Sequence, residues 1–432
     1  MLNEVLDVAS KYVDSAEVYY LESESSPVNF EVGSLKSIES KETKGIALRV
    51  IKNGKTGFST TTDLDINKIN QLVKNAVEVS EFGPEVNWNF PTHKVDSNSN
   101  LMKSPPDIER LVSIGKDMLA EVKEHEPDAI NSASLVYGKS REIIVNTNGV
   151  SAHRERDSIS LSLVCQLING NDILYVYDGQ TITSPEINYR ETLDKVLSTI
   201  KNSKALFQVN SKNMPVIFTP RAMSSLLIPL EPALSGKAVL QGSSYFAKKL
   251  NSQVMDPRVS IYEDPTQGAY NLNFDDEGIP AFRKPFIENG VLKNFYYDIQ
   301  TAAEAGVQST GNGFRSGLSN VSPTISTLVF EGGTKSFDEM VSEIEEGVIV
   351  EHVLGAGQGN TLSGAFSVNI SLGFLIEKGK IVGRIKDCMV SGNTFESLNN
   401  IKEIEKDSHW LPSGTRKYPS IMFNNLNVVS KK

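Results

Sequence analysis

The sequence predicts an α+β fold, with a mixed N-terminal domain over residues 1–210 and a strand-rich C-terminal domain over residues 211–432. Three observations predict it. The first half alternates amphipathic helical stretches with strand-like runs; beyond about residue 210 the chain turns to short strands and Gly-rich turns. A length of 432 residues with 39% hydrophobic content supplies a substantial core and favours more than one domain.

In chain order, Met1–Ser15 carries Leu2, Val5, Leu6 and Val13 at helical spacing among Glu4, Asp7 and Asp14. That is an amphipathic helix and not a basic leader, so no secretory signal is expected. Ala16–Leu21 and Val28–Val32 are strand-like. Gly45–Ile51 runs through Asn53-Gly54 into Thr56–Ser59, a hairpin signal because both central residues of such a turn take positive φ. Asp65 is placed to cap a helix with Ile66, Ile69, Leu72, Val73, Ala76 and Val77 on one face. Phe82–Pro106, with Pro84, Pro91, Pro105 and the polar tract Asp96–Asn100, is a linker-like excursion. A helix follows with the stripe Ile108, Leu111, Val112, Leu119 and Val122. A second hairpin at Asn148-Gly149 joins Glu142–Val145 to a long alternating strand region ending near Tyr177, and Leu193, Val196, Leu197 and Ile200 mark another helix. In the second half, Thr219-Pro220 opens one helix, and Ser336 with Glu339 forms a capping box that opens another.

The formal net charge of -10 leaves no surplus of Lys and Arg to release counterions from nucleic acid, so nucleic acid is not expected as a partner. Lys248-Lys249 and Lys431-Lys432 are read as solvated surface. No apolar stretch approaches the roughly 20 residues that cross a bilayer as a helix, so no membrane partner is expected. With only Cys165 and Cys388, a disulfide framework is not expected and the cytoplasm is the expected address. Cys165, in an alternating run, reads as a buried inert thiol.

Five histidines, His93, His125, His153, His352 and His409, bear on any hydrolytic chemistry. No His-Glu-x-x-His and no Cys-x-x-Cys is present. His93, His125 and His153 fall in polar segments or beside a turn. Glu351 and His352 are neighbours in a strand, where alternation sends them to opposite faces and a shared metal is not expected. No nucleophile-elbow sequence supports a serine hydrolase. The acidic run Asp275-Asp276-Glu277-Gly278 reads as a turn in which an aspartate binds nearby amides and Gly278 takes positive φ; a hard-cation site is the competing reading. Gly355–Asn360 resembles a phosphate loop, but a strand-like run follows at Ala365–Ile370 where a helix is required. Its glycines instead suit close approach to another chain or to an extended peptide.

Several motifs together resemble the TldD/PmbA family, also described as modulators of DNA gyrase. They are Phe274–Gly278, Ile287–Leu292, Ser309–Gly313, the helix region from Lys335 to Gly347, Gly355–Ser367 and Val390–Asn393, joined in the first half by Ala16–Val18 and Gly45–Phe58. The family is known for zinc peptidases in which one subunit type carries His-Glu-x-x-x-His and a C-terminal cysteine, while a related type lacks them and pairs with it. Here the corresponding stretch, Leu227–Pro232, has no imidazole, and its prolines are expected to break the helix; Ser413-Gly414 stands near the cysteine's place. The resemblance is thus to the PmbA-like, or TldE-like, type. It implies no catalytic residue and no metal in this chain, and a dimer with a zinc-bearing TldD-type subunit or with itself. An unfolded peptide would be the substrate, with Asn312, Gly313, Arg315, Gly355, Gly357, Ser363 and Phe366 near its groove. Two other readings compete: a homomeric hydrolase using an unrecognised site around Glu231 or the acidic turn, and a peptide-binding regulator without peptidase activity.

Overall fold

A computed structural model describes residues 1–358 and 360–430; Gly359 and the Lys431-Lys432 pair lie outside them. The first sheet is built from β1 (Ser15–Glu31), β2 (Ser34–Ile38), β3 (Lys41–Lys52), β4 (Lys55–Thr61), β5 (Asn98–Asn100), β6 (Ile130–Asn146), β7 (Ser151–Asn169) and β8 (Asp172–Ile182). Its order is β4-β3-β1-β6-β7-β5, with β2 on β1 and β8 on β7. The two expected strands Ala16–Leu21 and Val28–Val32 are one strand, because β1 pairs without a break from Glu17↔Asn146 to Phe30↔Ala133. The polar middle, Glu22–Ser26, lacks an apolar signal, yet main-chain pairing does not depend on side chains. Asn53 and Gly54 both take positive φ (51° and 72°) in the tight link from Lys52 to Lys55. The second hairpin also forms, but through a wider loop in which only Gly149 has positive φ. There Asn146 Oδ1 accepts the amides of Asn148 (2.9 Å) and Val150 (3.0 Å), which holds the chain open.

Four helices accompany this sheet: α1 (Leu2–Ala9), α2 (Ile66–Phe82), α3 (Ile108–His125) and α4 (Arg190–Asn202). Asp65 caps α2 as its sequence predicts, accepting the Asn67 amide at 2.9 Å. Phe82–Pro106 holds only the short β5, although Phe90 and Met102 anchor it in the interior.

The second sheet has β9 (Leu206–Phe207), β10 (Lys212–Phe218), β11 (Ile261–Glu263), β12 (Lys284–Glu288) and β13 (Val291–Leu292). The pair β14 (Gly313–Phe314) and β15 (Ser322–Pro323) stands apart. The second sheet continues with β16 (Leu328–Phe330), β17 (Glu346–Leu354), β18 (Ala365–Glu377), β19 (Lys380–Ile385), β20 (Cys388–Asn393), β21 (Ile401–Trp410) and β22 (Arg416–Ser430). Its helices are α5 (Pro220–Leu226), α6 (Leu230–Leu234), α7 (Gly236–Leu240), α8 (Ile299–Ala305), α9 (Phe337–Ser342) and α10 (Thr394–Asn399). The Ser336–Glu339 capping box is formed in both directions.

Central strands of this sheet are buried on both faces. Val216, Phe218, Val348 and Val350 face one core with Leu230, Leu234 and Phe286. Ile217, Ile349, Leu372 and Met422 face the other, where they share one apolar cluster with Leu161 and Leu163 of the first sheet and with Leu119, Leu193 and Val196 of α3 and α4.

Candidate functional site

The C-terminal end of β10, a strand paired on both sides by β22 and β17, leads into the candidate face. Phe218 ends the strand, Thr219 precedes α5, and Pro220 occupies the first helical position, where its missing N–H costs nothing. The helix stops at Leu226 and restarts at Leu230, as the prolines predict, since Pro229 cannot donate to the preceding turn. Leu227 and Leu230 turn inward while Ile228 remains 37% exposed. Glu231 follows on α6, and its Oε1 accepts from Arg416 Nε at 2.8 Å. That guanidinium also donates to the carbonyls of Ser326 (3.1 Å) and Ile325 (3.3 Å), so its geometry is set on several sides. The Tyr296 hydroxyl donates to the Glu231 carbonyl at 3.1 Å, and burial pushes this phenol up to about 12. An open pocket of about 590 Å³ lies over Ile228, Glu231, Pro232 and Tyr418.

The chemistry of this place does not fit a zinc ion. A catalytic zinc takes three protein ligands, whereas the face offers one carboxylate already neutralised by a guanidinium, beside isoleucine and proline. Among the described residues, no group of three or more His, Cys, Asp or Glu side chains is arranged to hold a metal.

Ile228 also borders a narrow apolar slot formed with Phe218, Val353, Ala356 and Phe366. Gly355 (φ 87°) and Gly357 (φ 80°) shape its rim. Of the residues the sequence singles out, Gly355, Gly357 and Phe366 therefore come together. Ser363 lies outside the lining, in a short helical turn at Thr361–Ser363, and its hydroxyl donates to the Asn360 carbonyl at 2.9 Å.

Asn312, Gly313 and Arg315 occupy different surroundings. Asn312 is fully buried and donates to Glu263 Oε2 at 2.7 Å. The Gly313 amide donates to Asp275 Oδ2 at 2.8 Å, and a Cβ there would fall 2.3 Å from Glu277 Oε2. Arg315 reaches Glu17 Oε1 at 2.7 Å. These residues belong to a buried charge network that fastens the first sheet to the acidic turn: Arg49 pairs with Glu277 at 2.7 Å, and Arg154 with Glu142 at 2.5 Å and Asp276 at 2.6 Å. The turn itself is built as the sequence predicts. Asp275 Oδ1 accepts the amides of Glu277 (3.0 Å) and Ile279 (2.9 Å), and Gly278 has φ 76°. Its arginine partners are invisible locally, since they lie 228 and 122 residues away.

A polar cavity of about 730 Å³ opens between β8, α4 and the segment 405–420. His409 Nε2 lies 3.1 Å from Glu405 Oε1, which raises the imidazole pKa, while the same bond and others hold the Glu405 carboxyl down against its burial. Arg221 pairs with Asp178 and approaches His352 Nε2 at 2.9 Å. Burial, and then this guanidinium, push His352 down to about 3, so it is neutral; burial pushes the Glu351 carboxyl up, opposed by the same Arg221. The strict alternation expected at Glu351-His352 is interrupted, because the register slips between Val350↔Gly373 and His352↔Leu372. The Glu405–His409 spacing of four suggests a helix face, but the pair sits on the irregular strand β21. His93, His125 and His153 are exposed, and burial pushes the Cys165 thiol up to about 12.

Two family profiles match: the PmbA/TldA metallopeptidase C-terminal domain over residues 211–430 and PmbA/TldA metallopeptidase domain 1 over residues 16–80. The chain belongs to the PmbA/TldD metallopeptidase family. An uncharacterised protein of Methanocaldococcus jannaschii is 28% identical over 419 residues, covering 91% of this chain and 92% of that protein. A metalloprotease of Archaeoglobus fulgidus is 26% identical, covering 90% and 92%. Among solved structures, TldE from Thermococcus kodakarensis superposes with a TM-score of 0.87 at 21% identity, covering 99% of this chain and 100% of that one. A proposed modulator of DNA gyrase from Thermotoga maritima gives 0.84 at 24% identity, covering 99% of each. At these identities the structural likeness establishes the α+β fold.

Proposed function

We propose that this chain is the zinc-free subunit of a two-part cytoplasmic metallopeptidase, and that it helps hold an unfolded peptide for a TldD-type partner that carries the zinc. The observation that carries the reading is the face at Ile228–Pro232, where one carboxylate paired with Arg416 replaces a ligand set. Glu231 in this pairing has no free role as a metal ligand or general base. The slot and the Gly355–Gly357 rim beside it supply an apolar, glycine-edged groove for an extended chain.

The test is zinc content and peptide cleavage of the chain purified alone and again with a co-expressed TldD-type subunit. Zinc and cleavage are expected only with the partner; stoichiometric zinc or cleavage by the lone chain overturns the assignment. A homomeric hydrolase is favoured by one observation, the polar cavity where burial raises Glu351 while hydrogen bonds lower Glu405, a separation that suits an acid and a base. On that reading the lone chain cleaves and Glu351→Gln abolishes cleavage.

A further inference from the structure

Strand β18 is paired over most of its length on one side, by β20 over Ala365–Ile370 and by β19 over Phe374–Glu377. On the opposite edge β17 joins it only from its last pair, Leu354↔Asn369, onward. Past Leu354 the chain turns away through Gly355 and Gly357, whose left-handed backbone ends the strand at no steric cost. Among the described residues, no strand or isolated bridge takes its place beside Ala365–Val368. An open strand edge is completed by an extended chain, whose main chain supplies the missing partners.

The slot lies against this same edge and defines what that chain carries. Phe218, Ile228, Val353 and Phe366 wall most of it, Ser225, Gln358 and Thr361 add uncharged polar groups, and no charged side chain lines it. Its free volume is about 40 Å³. Since one water needs roughly 10–15 Å³, about three heavy-atom-sized groups fit, which suits the branched end of valine or leucine and leaves no room for an indole. An aspartate or lysine entering it would leave a charge buried without a counter-charge.

We propose that the open edge of β18 binds an extended peptide segment and that the adjoining slot selects a branched aliphatic side chain, valine, isoleucine or leucine, at one position. This rests on the reading of the face as a peptide groove and adds the class of side chain it takes.

Fluorescein-labelled hexapeptides on an alanine–serine background, carrying leucine, valine, tryptophan, aspartate or lysine at one internal position, are titrated onto the purified full chain and followed by anisotropy. Leucine and valine peptides are expected to bind about tenfold or more tightly than the other three, the ratio that burial of one such side chain supplies. N-methylation of one main-chain amide is expected to weaken the leucine peptide by about tenfold, through loss of a strand pair. Ala356→Phe, which puts a ring into the slot, is expected to bring the leucine peptide down to the level of the aspartate peptide while the circular dichroism spectrum is kept. Binding without side-chain ranking, or a leucine preference that survives Ala356→Phe, overturns the slot while sparing the groove. No binding of any peptide at millimolar concentration overturns both. The ranking on the unaltered chain decides the matter if the variant does not fold, and the lone chain suffices whether or not a zinc subunit exists.

Discussion

Arg154 carries its charge at a position 2% exposed, held by Glu142 at 2.5 Å, Asp276 at 2.6 Å and the Phe274 carbonyl at 2.9 Å. A charge taken so far from water is tolerated only because its partners are complete. Arg154→Met leaves the Asp276 carboxylate buried without its cation, and a loss of about 3–5 kcal/mol is expected in urea unfolding. The neighbouring Glu277 makes the network pH-sensitive. Burial raises its carboxyl from the ordinary 4.5 to about 7 against the pull of Arg49. An acid raised in the folded state binds its proton more readily there, so its contribution is present below pH 4.5 and is lost as pH rises through about 7. In Glu277→Gln, whose side chain stays neutral, the fall of Tm across that window is expected to be shallower than in the parent; an identical slope would assign the titration to another group.

At the scale of elements, helix ends obey local chemistry. Asp65 caps α2, and Asp65→Ala is expected to lower stability by about 1 kcal/mol, read as a Tm decrease, because the Asn67 amide loses its acceptor. The apolar stripes hold for α2 and α3 except at their first residues: Ile66 is 55% and Ile108 38% exposed. Helical side chains lean toward the N-terminus, so a first residue has no preceding turn to cover. The Asn53-Gly54 turn also follows its own residues. The loop at Asn148-Gly149 does not, because Asn146 claims its amides and also donates to the Pro91 carbonyl at 2.9 Å.

At the scale of the whole molecule, the two sheets are joined in two chemically different ways. One is apolar, the cluster shared by Leu161 and Leu163 with Ile349, Leu372 and Met422 around α3 and α4. The other is ionic, with Glu17, Arg49 and Arg154 of the first sheet meeting Asp276, Glu277 and Arg315. The ionic join explains why the acidic turn and Asn312–Arg315 lie inside the protein, although their composition suits a surface loop. Their burial places them in the joint between the sheets, whereas Gly355, Gly357 and Phe366 stand on the open face beside Ile228.

Local sequence set the α+β class, the Asn53-Gly54 hairpin, the caps of α2 and α9, the proline break before α6 and the internal bonding of the acidic turn. Each depends on residues within a few positions of one another, where φ preferences and short side-chain reach act alone. Only the tertiary structure decided that Glu231 meets Arg416 across 185 residues, that Asp276 meets Arg154, and that β17 stops short and leaves the edge of β18 beside an apolar slot. Such pairings depend on which surfaces the folded sheets bring together, and the desolvation that makes them consequential exists only once the chain has closed around them.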